Sequence, residues 1–119
     1  MERSVFDTVT TTSLTSALDN LALRQRVTAD NIANIETPNF HAKRVEFESA
    51  LADNIDSGGD GDVQGTVAES LEPTREDGNN VNLDTETMSD IDTGLRYQLA
   101  LNAMNAQFTE LKTAIGSGS

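Results

Sequence analysis

Apolar residues recur at helical spacing through the first third of the chain. One column, with alternating steps of four and three residues, consists of Leu14, Leu18, Leu21, Gln25, Thr28, Ile32 and Ile35. Thr37 precedes Pro38 and is therefore disfavoured in the α region, so the helix must stop close to Asn34. The pattern predicts an N-terminal helix over residues 14–35, preceded by a flexible leader rich in Thr and Ser over residues 1–13.

Polar side chains lie beside this apolar column near the end of the helix. They are Asp30, Asn31 and Asn34. A buried amide or carboxylate that lacks a partner costs roughly 1–3 kcal/mol. We therefore expect polar groups to meet this part of the helix.

A second helix is predicted over residues 84–115, with Asn82 or Asp84 as its N-cap and residues 116–119 as a flexible tail. Its apolar residues form two stripes. The first contains Met88, Ile91 and Leu95, and the second contains Tyr97, Leu101, Met104, Phe108, Leu111 and Ile115. Because the helix is apolar on more than one side, a single partner helix cannot cover it.

Residues 36–83 are predicted as an irregular or extended acidic region. Within it, residues 45–54 fit a short helix or a strand, and we favour the helix. Residues 55–76 are predicted as a mobile loop in which residues 66–74 can pair as an extended arm, and residues 77–80 as a turn. The predicted fold class is mainly α, with the two long terminal helices forming an antiparallel, coiled-coil-like hairpin.

Composition argues against a self-sufficient core. Only 36 % of the 119 residues are hydrophobic, there is no Trp, and there are one Tyr and four Phe. Cysteine is absent, which excludes disulfides and thiolate chemistry. The N-terminus lacks a basic region followed by an apolar run, so no cleaved secretory signal is expected, and no stretch has the roughly 18 apolar residues of a membrane span.

The charge is concentrated in the middle of the chain. Between Glu46 and Asp92 there are fourteen acids and one base, Arg75, so the net charge of this span is −13. Because the whole chain has a net charge of −12, the two ends together carry about +1. Like-charge repulsion keeps the middle solvated, while the neutral ends are free to pack. Nucleic-acid binding is disfavoured because it needs clustered Lys and Arg.

No constellation of residues indicates catalysis, a metal site or a cofactor. His41 is the single histidine, and it is more consistent with a surface or interfacial imidazole beside Lys43 and Arg44 than with a catalytic base. The acidic loop at residues 56–62 matches neither the EF-hand loop nor the Gly-Gly-x-Gly-x-Asp repeat and is better explained as a solvated tip. Arg24 and Arg26 are candidates for binding an acidic partner, but the more common arrangement on an exposed helix is solvation or pairing with neighbours such as Asp19 and Asp30, which we expect here. No small-molecule substrate is indicated.

Amide side chains accompany both helices, namely Gln25, Asn31 and Asn34 in the first and Gln98, Asn102, Asn105 and Gln107 in the second. Two interpretations are open. These residues face solvent, or they meet other subunits, where amides donate and accept without the desolvation cost of ions.

Three segments carry a resemblance to a known family. Residues 21–40, LALRQRVTADNIANIETPNF, resemble the N-terminal signature of flagellar rod, hook and axial proteins. Residues 77–84, DGNNVNLD, and residues 95–98, LRYQ, are similar to the proximal rod proteins of the FlgB family. One departure is Asn39, where the family usually has Gly after Thr-Pro. Because Asn tolerates positive φ better than other non-glycine residues, we expect the turn to survive with some backbone strain.

The resemblance implies a non-enzymatic, structural subunit of the bacterial flagellar basal-body rod. It implies delivery as an unfolded chain by the flagellar type III export apparatus, and polymerisation in the cell envelope outside the cytoplasmic membrane. The implied partners are further copies of the chain, other rod proteins, and membrane-ring and export-gate components at the rod base. The terminal helices then form part of a drive shaft around the export channel.

The expected assembly interface combines the apolar columns of both helices with their amides and with the turn around Pro38. It comprises Leu14, Leu18, Leu21, Gln25, Thr28, Asn31, Ile32, Asn34, Ile35, Pro38, Phe40, Met88, Ile91, Leu95, Tyr97, Gln98, Leu101, Met104, Phe108, Leu111 and Ile115. A second hypothesis is an acidic helical binding module, such as an export chaperone that stays in the cytoplasm. An enzyme acting through His41 is the third.

Overall fold

The computed structural model describes residues 2–117, with the side chains of residues 8–116. The elements in chain order are α1 (Glu2–Ala33), β1 (Lys43–Glu46), α2 (Glu48–Asp56), β2 (Thr66–Glu69) and α3 (Leu83–Ser117). The two long helices run antiparallel: Asn31 near the end of α1 contacts Glu86 near the start of α3, and further along Tyr97 of α3 packs on the cluster that contains Leu21 of α1. The predicted mainly α hairpin is confirmed.

α1 ends and α3 begins close to the residues that the sequence predicts, at the end of the hairpin where the middle region connects the two helices. α1 ends at Ala33, just before Asn34, and the chain turns through Pro38. α3 begins at Leu83, and the side-chain oxygen of Asn82 accepts a hydrogen bond of 3.2 Å from the backbone N–H of Thr85. Of the two candidate caps, Asn82 is therefore the N-cap.

The outer ends of both helices extend further than predicted. Residues 2–13 are helical instead of forming an irregular leader, and α3 continues through Gly116 and Ser117. Thr and Ser lower helix propensity only modestly, and the Thr15 hydroxyl donates to the carbonyl of Thr11 one turn earlier, which satisfies it within the helix. Met1, and residues 118–119 of the predicted tail, lie outside the described residues.

The middle region contains a two-stranded antiparallel sheet and a short helix. Lys43 pairs with Glu69 and Glu46 pairs with Thr66 at the two ends of the ladder. Residues 45–54 therefore divide between the two structures considered: a strand ends at Glu46 and α2 begins at Glu48. The extended arm is also present, but only residues 66–69 form a strand, and they pair with β1.

The hydrophobic core is small. Leu21 of α1, Val45 of β1 and Phe47 form one buried cluster, with Tyr97 of α3 packed against it. The radius of gyration is 18.3 Å, whereas a compact domain of this length has about 13.5 Å. The accessible surface of 8039 Å² likewise exceeds the roughly 6,300 Å² of a compact monomer of this mass. The chain is an elongated hairpin that leaves much of its helical surface uncovered.

Neither long helix, over the residues that the structure describes, carries an apolar stretch of the length needed to cross a bilayer.

Candidate assembly interface

A network of asparagine side chains holds together the end of the hairpin at which the middle region connects α1 to α3. Asn79 is fully buried, and its Nδ2 donates to the carbonyls of Asn34 and Thr37, each at 2.8 Å. Its Oδ1 accepts from the backbone N–H of Val81 at 2.7 Å. One side chain thereby joins the turn after α1 to the approach to α3.

Asn80 joins the approach to α3 to the segments that flank the two strands. Its Oδ1 accepts from the N–H of Ala42 at 2.6 Å, and its Nδ2 donates to the carbonyls of Ser70 and Glu72. Arg75 reinforces this junction by donating to the carbonyls of Val81 and Ile35, each at 2.6 Å. Hydrogen bonds from polar residues, and not apolar packing, therefore join the two turns to each other.

The turn after Pro38 has the geometry that the sequence predicts. Asn39 adopts φ +63°, the left-handed conformation that the family's usual glycine adopts without strain. Its N–H donates to the carbonyl of Asp77 at 2.9 Å, and Gly78, with φ +81°, packs directly against the Asn39 side chain. The positive φ at Gly78 is one that L side chains rarely adopt, and a Cβ atom there would also meet Asn39 Oδ1, so this position strongly favours glycine.

Asn31 is one of the three residues that the sequence predicts to need polar partners, and its side chain makes three hydrogen bonds, to Lys43 and Glu86. Its side chain exchanges two hydrogen bonds with the backbone of Lys43, from Nδ2 to the carbonyl and from the N–H to Oδ1. Nδ2 also donates to Glu86 Oε2 at 3.1 Å. The expectation of polar contacts for this face is confirmed, and for Asn31 they lie within the chain.

Glu86 is buried on the face of α3 that meets α1. Burial raises the pKa of its carboxyl above the usual 4.5, and the hydrogen bond from Asn31 only partly offsets this. An acid whose pKa is raised in the folded state destabilises that state as pH rises through the ordinary pKa and beyond. The carboxylate is therefore a cost to the folded chain near neutral pH.

We expect Glu86→Gln to raise the urea midpoint of the isolated chain near pH 7, because the amide can still accept from Asn31 and carries no charge to bury. The gain should disappear at about pH 3, where Glu86 is protonated. Urea titrations followed by circular dichroism at both pH values test this. An equal gain at both values would contradict the assigned role of the charge.

A ladder of polar side chains on α1 holds the loop that precedes β2. The Ser16 hydroxyl and the backbone of Val63 exchange hydrogen bonds of 2.7 and 3.0 Å. Asn20 donates to the Val63 carbonyl and accepts from the N–H of Gly65 at 2.8 Å. The loop is thus attached to the helix mainly through its backbone.

Arg24 connects α1 to α2. Its guanidinium donates to both carboxylate oxygens of Glu48 at 2.7 Å and to the carbonyl of Val45, and it lies 5.0 Å from the centroid of the Phe47 ring. Arg96 of α3 also reaches Glu48, at 3.1 Å. The predicted pairing of Arg24 within its own helix is wrong, because the bidentate partner comes from the middle region.

The hydrogen bonds from Arg24 lower the pKa of Glu48 to about 2. An acid with a lowered pKa stabilises the folded state above its ordinary pKa, and this contribution is lost as pH falls from about 4.5 through 2. We expect Glu48→Gln to lower the urea midpoint near pH 6 and to have almost no effect near pH 2. Equal destabilisation at both pH values would show that packing, and not the charge, is what is lost.

α3 exposes its apolar face and buries a polar one. Glu86, Thr93 and Ala100, spaced by seven residues, are at most 8 % exposed on the side of α1. Two residues along a helix rotate the side chain by about 200°, so Met88 and Leu95 point away from α1. The outward stripe is 60–72 % exposed and consists of Met88, Ile91, Leu95 and Leu99.

The residues predicted for the interface divide into three groups. Leu21, Thr28 and Asn31 are buried within the chain. The half-buried residues are Leu14, Leu18, Gln25, Ile32, Asn34, Ile35, Phe40, Tyr97, Leu101 and Met104. The exposed residues are Pro38, Met88, Ile91, Leu95, Gln98, Phe108, Leu111 and Ile115.

The other amides of α3 stay at the surface. Gln98 and Asn102 are exposed and share one hydrogen bond of 3.3 Å, Asn105 is exposed, and Gln107 is half-buried. Directly after α1, Asn34 Nδ2 donates to the carbonyl of Asp30. These positions leave both original interpretations of the α3 amides compatible with the chain alone.

The residues considered for chemistry are spread over the surface. His41 Nδ1 lies 3.6 Å from Glu69 Oε2, with both side chains exposed. The acidic loop forms a turn in which Asp60 Oδ1 accepts from the N–H of Asp62. Within residues 2–117, no group of three or more potential ligands converges on a possible metal position.

Several structural residues were missed by the sequence reasoning. Ser16, Asn20, Asn79, Asn80 and Glu86 are buried and polar, yet the sequence pattern predicts none of their contacts; it predicts only a turn at residues 77–80 and a favourable charge at Glu86. Their partners are mostly backbone atoms distant in sequence, which leave no periodic signal. A cluster of Asn residues next to positions that need glycine, as in Asp77–Asn80, was the available clue.

Comparison with known proteins agrees with this architecture. A family model described as flagella basal body rod protein matches residues 13–41, the segment that contains most of α1 and the turn after it. The chain is 30% identical over 119 residues to the flagellar basal body rod protein FlgB of Bacillus subtilis (strain 168), covering 89% of this chain and 92% of that protein.

Two further relatives carry the same description. The FlgB protein of Borrelia hermsii is 33% identical, with 82% of this chain and 89% of the relative covered. That of Escherichia coli (strain K12) is 32% identical, with 87% and 90% covered. The chain belongs to the FlgB family of flagellar basal body rod proteins, and it is a structural subunit of the rod in the flagellar basal body.

Proposed function

We propose that the chain is exported unfolded by the flagellar type III apparatus and polymerises outside the cytoplasmic membrane through α1 and α3. It contributes there to the drive shaft and to the wall of the export channel, without enzymatic activity. The observation that carries this proposal is the outward apolar stripe of α3. A helix that buries Glu86 and Thr93 while exposing Met88 and Leu95 is suited to a neighbour.

Burial of the outward stripe supplies free energy that favours association. Full burial of a large apolar side chain contributes roughly 1.5–3 kcal/mol, and the four residues are 60–72 % exposed, so the stripe offers about 4–8 kcal/mol before the costs of association. Within the single chain, burial of apolar side chains contributes little more free energy, because the hydrophobic cluster is centred on three residues.

The proposed interface contains the exposed and half-buried residues of the predicted set. Leu21, Thr28 and Asn31 support it indirectly, because they hold the hairpin together. Phe108, Leu111 and Ile115, which are 51–68 % exposed, supply a second apolar patch toward the end of α3. Other rod proteins, and the membrane-ring and export-gate components at the rod base, are the partners that we assign to the remaining surfaces.

The middle region provides the outer contacts in this proposal. Leu71, in the loop after β2, is 87 % exposed, and it is followed by an acidic and polar stretch. Residues 55–76 are expected to remain mobile or to dock on an adjacent subunit; because residues 66–69 are paired with β1 and Val63 and Gly65 are bonded to α1, we propose docking, with Leu71 as the residue best suited to it.

Cell fractionation tests the proposal. The chain should occur at a fixed ratio to other rod proteins in purified basal bodies, and it should accumulate inside cells that lack the export gate. A defined soluble complex in the cytoplasm of wild-type cells, with none in basal bodies, would instead indicate the chaperone hypothesis, which no observation on this chain favours.

A further inference from the structure

We propose that the outward stripe of α3 packs on α1 of a second copy of this chain, in the same antiparallel register that the hairpin uses internally. The occupied face of α1 is centred on Ala22 and Ala29. This inference rests on the proposed function, because it names the partner of the surface through which the chain polymerises.

The register follows from the contact between the two helices. Asn31 lies opposite Glu86, since their side chains are hydrogen bonded. When the same register is applied between copies, the stripe meets a matching series on α1. The opposed pairs are Met88 with Ala29, Ile91 with Arg26, Leu95 with Ala22, and Leu99 with Leu18.

The side chains in these pairs are complementary in size. Met88 and Leu95 are seven residues apart, and so are Ala22 and Ala29, so two large side chains face two small ones at the same interval. Alternation of this kind allows helices to approach closely and knobs to enter holes. Ala29 is exposed and Ala22 is only half-buried, so the receiving face is accessible in the single chain.

Charge favours α1 over α3 as the partner. Arg26 is exposed, and no carboxylate among the described side chains lies within 4.0 Å of its guanidinium, whereas Arg24, Arg44, Arg75 and Arg96 all have acidic partners. In the proposed pairing, Arg26 meets the turn that contains Asp90 and Asp92. Two α3 stripes facing each other would instead bring the acids of both copies together.

The contact uses a different surface on each copy. The first copy presents α3 and the second presents α1, and the second copy keeps its own α3 stripe free for a third. A contact of this heterologous type does not terminate at a dimer and generates a ring or a helical array.

Disulfide cross-linking in assembled basal bodies tests the pairing, because the chain has no native cysteine. Cells are given the double variant Ala22→Cys/Leu95→Cys or Ala29→Cys/Met88→Cys, and purified basal bodies are oxidised. Each copy then carries one thiol on each contact face. We expect a ladder of linked dimers, trimers and larger species in denaturing gels without reductant.

The matched controls use the same four positions in the wrong combinations, Ala22→Cys/Met88→Cys and Ala29→Cys/Leu95→Cys. These pairs are offset by seven residues, about 10 Å along the helix, which exceeds the reach of a disulfide. If a variant does not assemble, Leu18→Cys/Leu99→Cys replaces it.

The outcomes are separable from the proposed function. A ladder with the matched pairs and none with the offset pairs supports the inference. Basal bodies that contain the chain but give no ladder, an intrachain link, or equal ladders with all pairs would overturn it, while the role in polymerisation stands. Absence of the chain from wild-type basal bodies would overturn the proposed function itself.

Discussion

Leu95→Asp is expected to abolish rod assembly while leaving the isolated chain folded. Leu95 is 67 % exposed and points away from α1, so the substitution removes no contact on which the hairpin depends. Surface changes of this kind usually alter the free energy of unfolding by less than about 0.5 kcal/mol. In an assembly, however, the carboxylate would be buried among apolar side chains without a partner, at a cost of several kcal/mol.

The measurement has two parts. Circular dichroism and urea titration of the purified chain report folding, and motility together with electron microscopy of basal bodies reports assembly. We expect an unchanged unfolding midpoint together with loss of swimming and of completed rods.

Ala52→Asp is the matched control, because it adds the same charge at an exposed helical position of α2, outside the terminal helices. Cells carrying it should swim normally. Normal motility of the Leu95→Asp strain would remove the main support for an interface on this side of α3. Equal loss of motility in both strains would point to net charge as the cause.

Asn79→Ala is expected to be the most damaging single substitution to the folded chain. It leaves the N–H of Val81 and the carbonyls of Asn34 and Thr37 without the partners that they have at 2.7–2.8 Å. The buried N–H of Val81 is left unsatisfied, at a cost of about 1–3 kcal/mol. Each carbonyl keeps a backbone N–H partner, from Thr37 and Phe40 respectively, and loses one hydrogen bond worth about 0.5–1.5 kcal/mol, so the total is roughly 2 kcal/mol or more. Proteins of this size have only 5–15 kcal/mol of stability in total, so much of the folded population should be lost.

Two asparagines in α3 and at its start provide a graded comparison. Asn82→Ala removes the N-cap hydrogen bond to Thr85 and should cost about 1 kcal/mol. Asn102→Ala changes an exposed side chain and should cost less than about 0.5 kcal/mol. Urea midpoints should fall in the order Asn102→Ala, Asn82→Ala, Asn79→Ala. Similar midpoints for the first and last would disprove the role of the junction.

The helices could be predicted from the sequence because their signals are local and periodic. The stop before Pro38, the N-cap at Asn82 and the positive φ at Asn39 each depend on one residue and its neighbours. The outer ends of the helices could not be predicted in this way, because a Thr-rich segment has no apolar period even when it is helical.

The distribution of polar residues inside the hairpin was beyond the reach of pattern analysis. Two apolar stripes on α3 were visible in the sequence, but the pattern does not say which one α1 covers. The structure covers the side that includes Glu86 and Thr93, and this choice depends on Asn31 and on the strand it holds at Lys43. Contacts between residues distant in sequence therefore determine which side of α3 packs on α1.

The attachment of the middle region to α1 has a consequence for how this part of the molecule can diverge. Ser16, Asn20 and Asn31 bind the main chain at Val63, Gly65 and Lys43, and a main-chain atom is the same whatever side chain it carries. Exposed residues of the outer loop can therefore be exchanged without changing these contacts, except at Gly61 and Gly65, where an added Cβ atom would clash with α1. A rod subunit built in this way can keep the same pair of long helices while the exposed surface of its middle region changes.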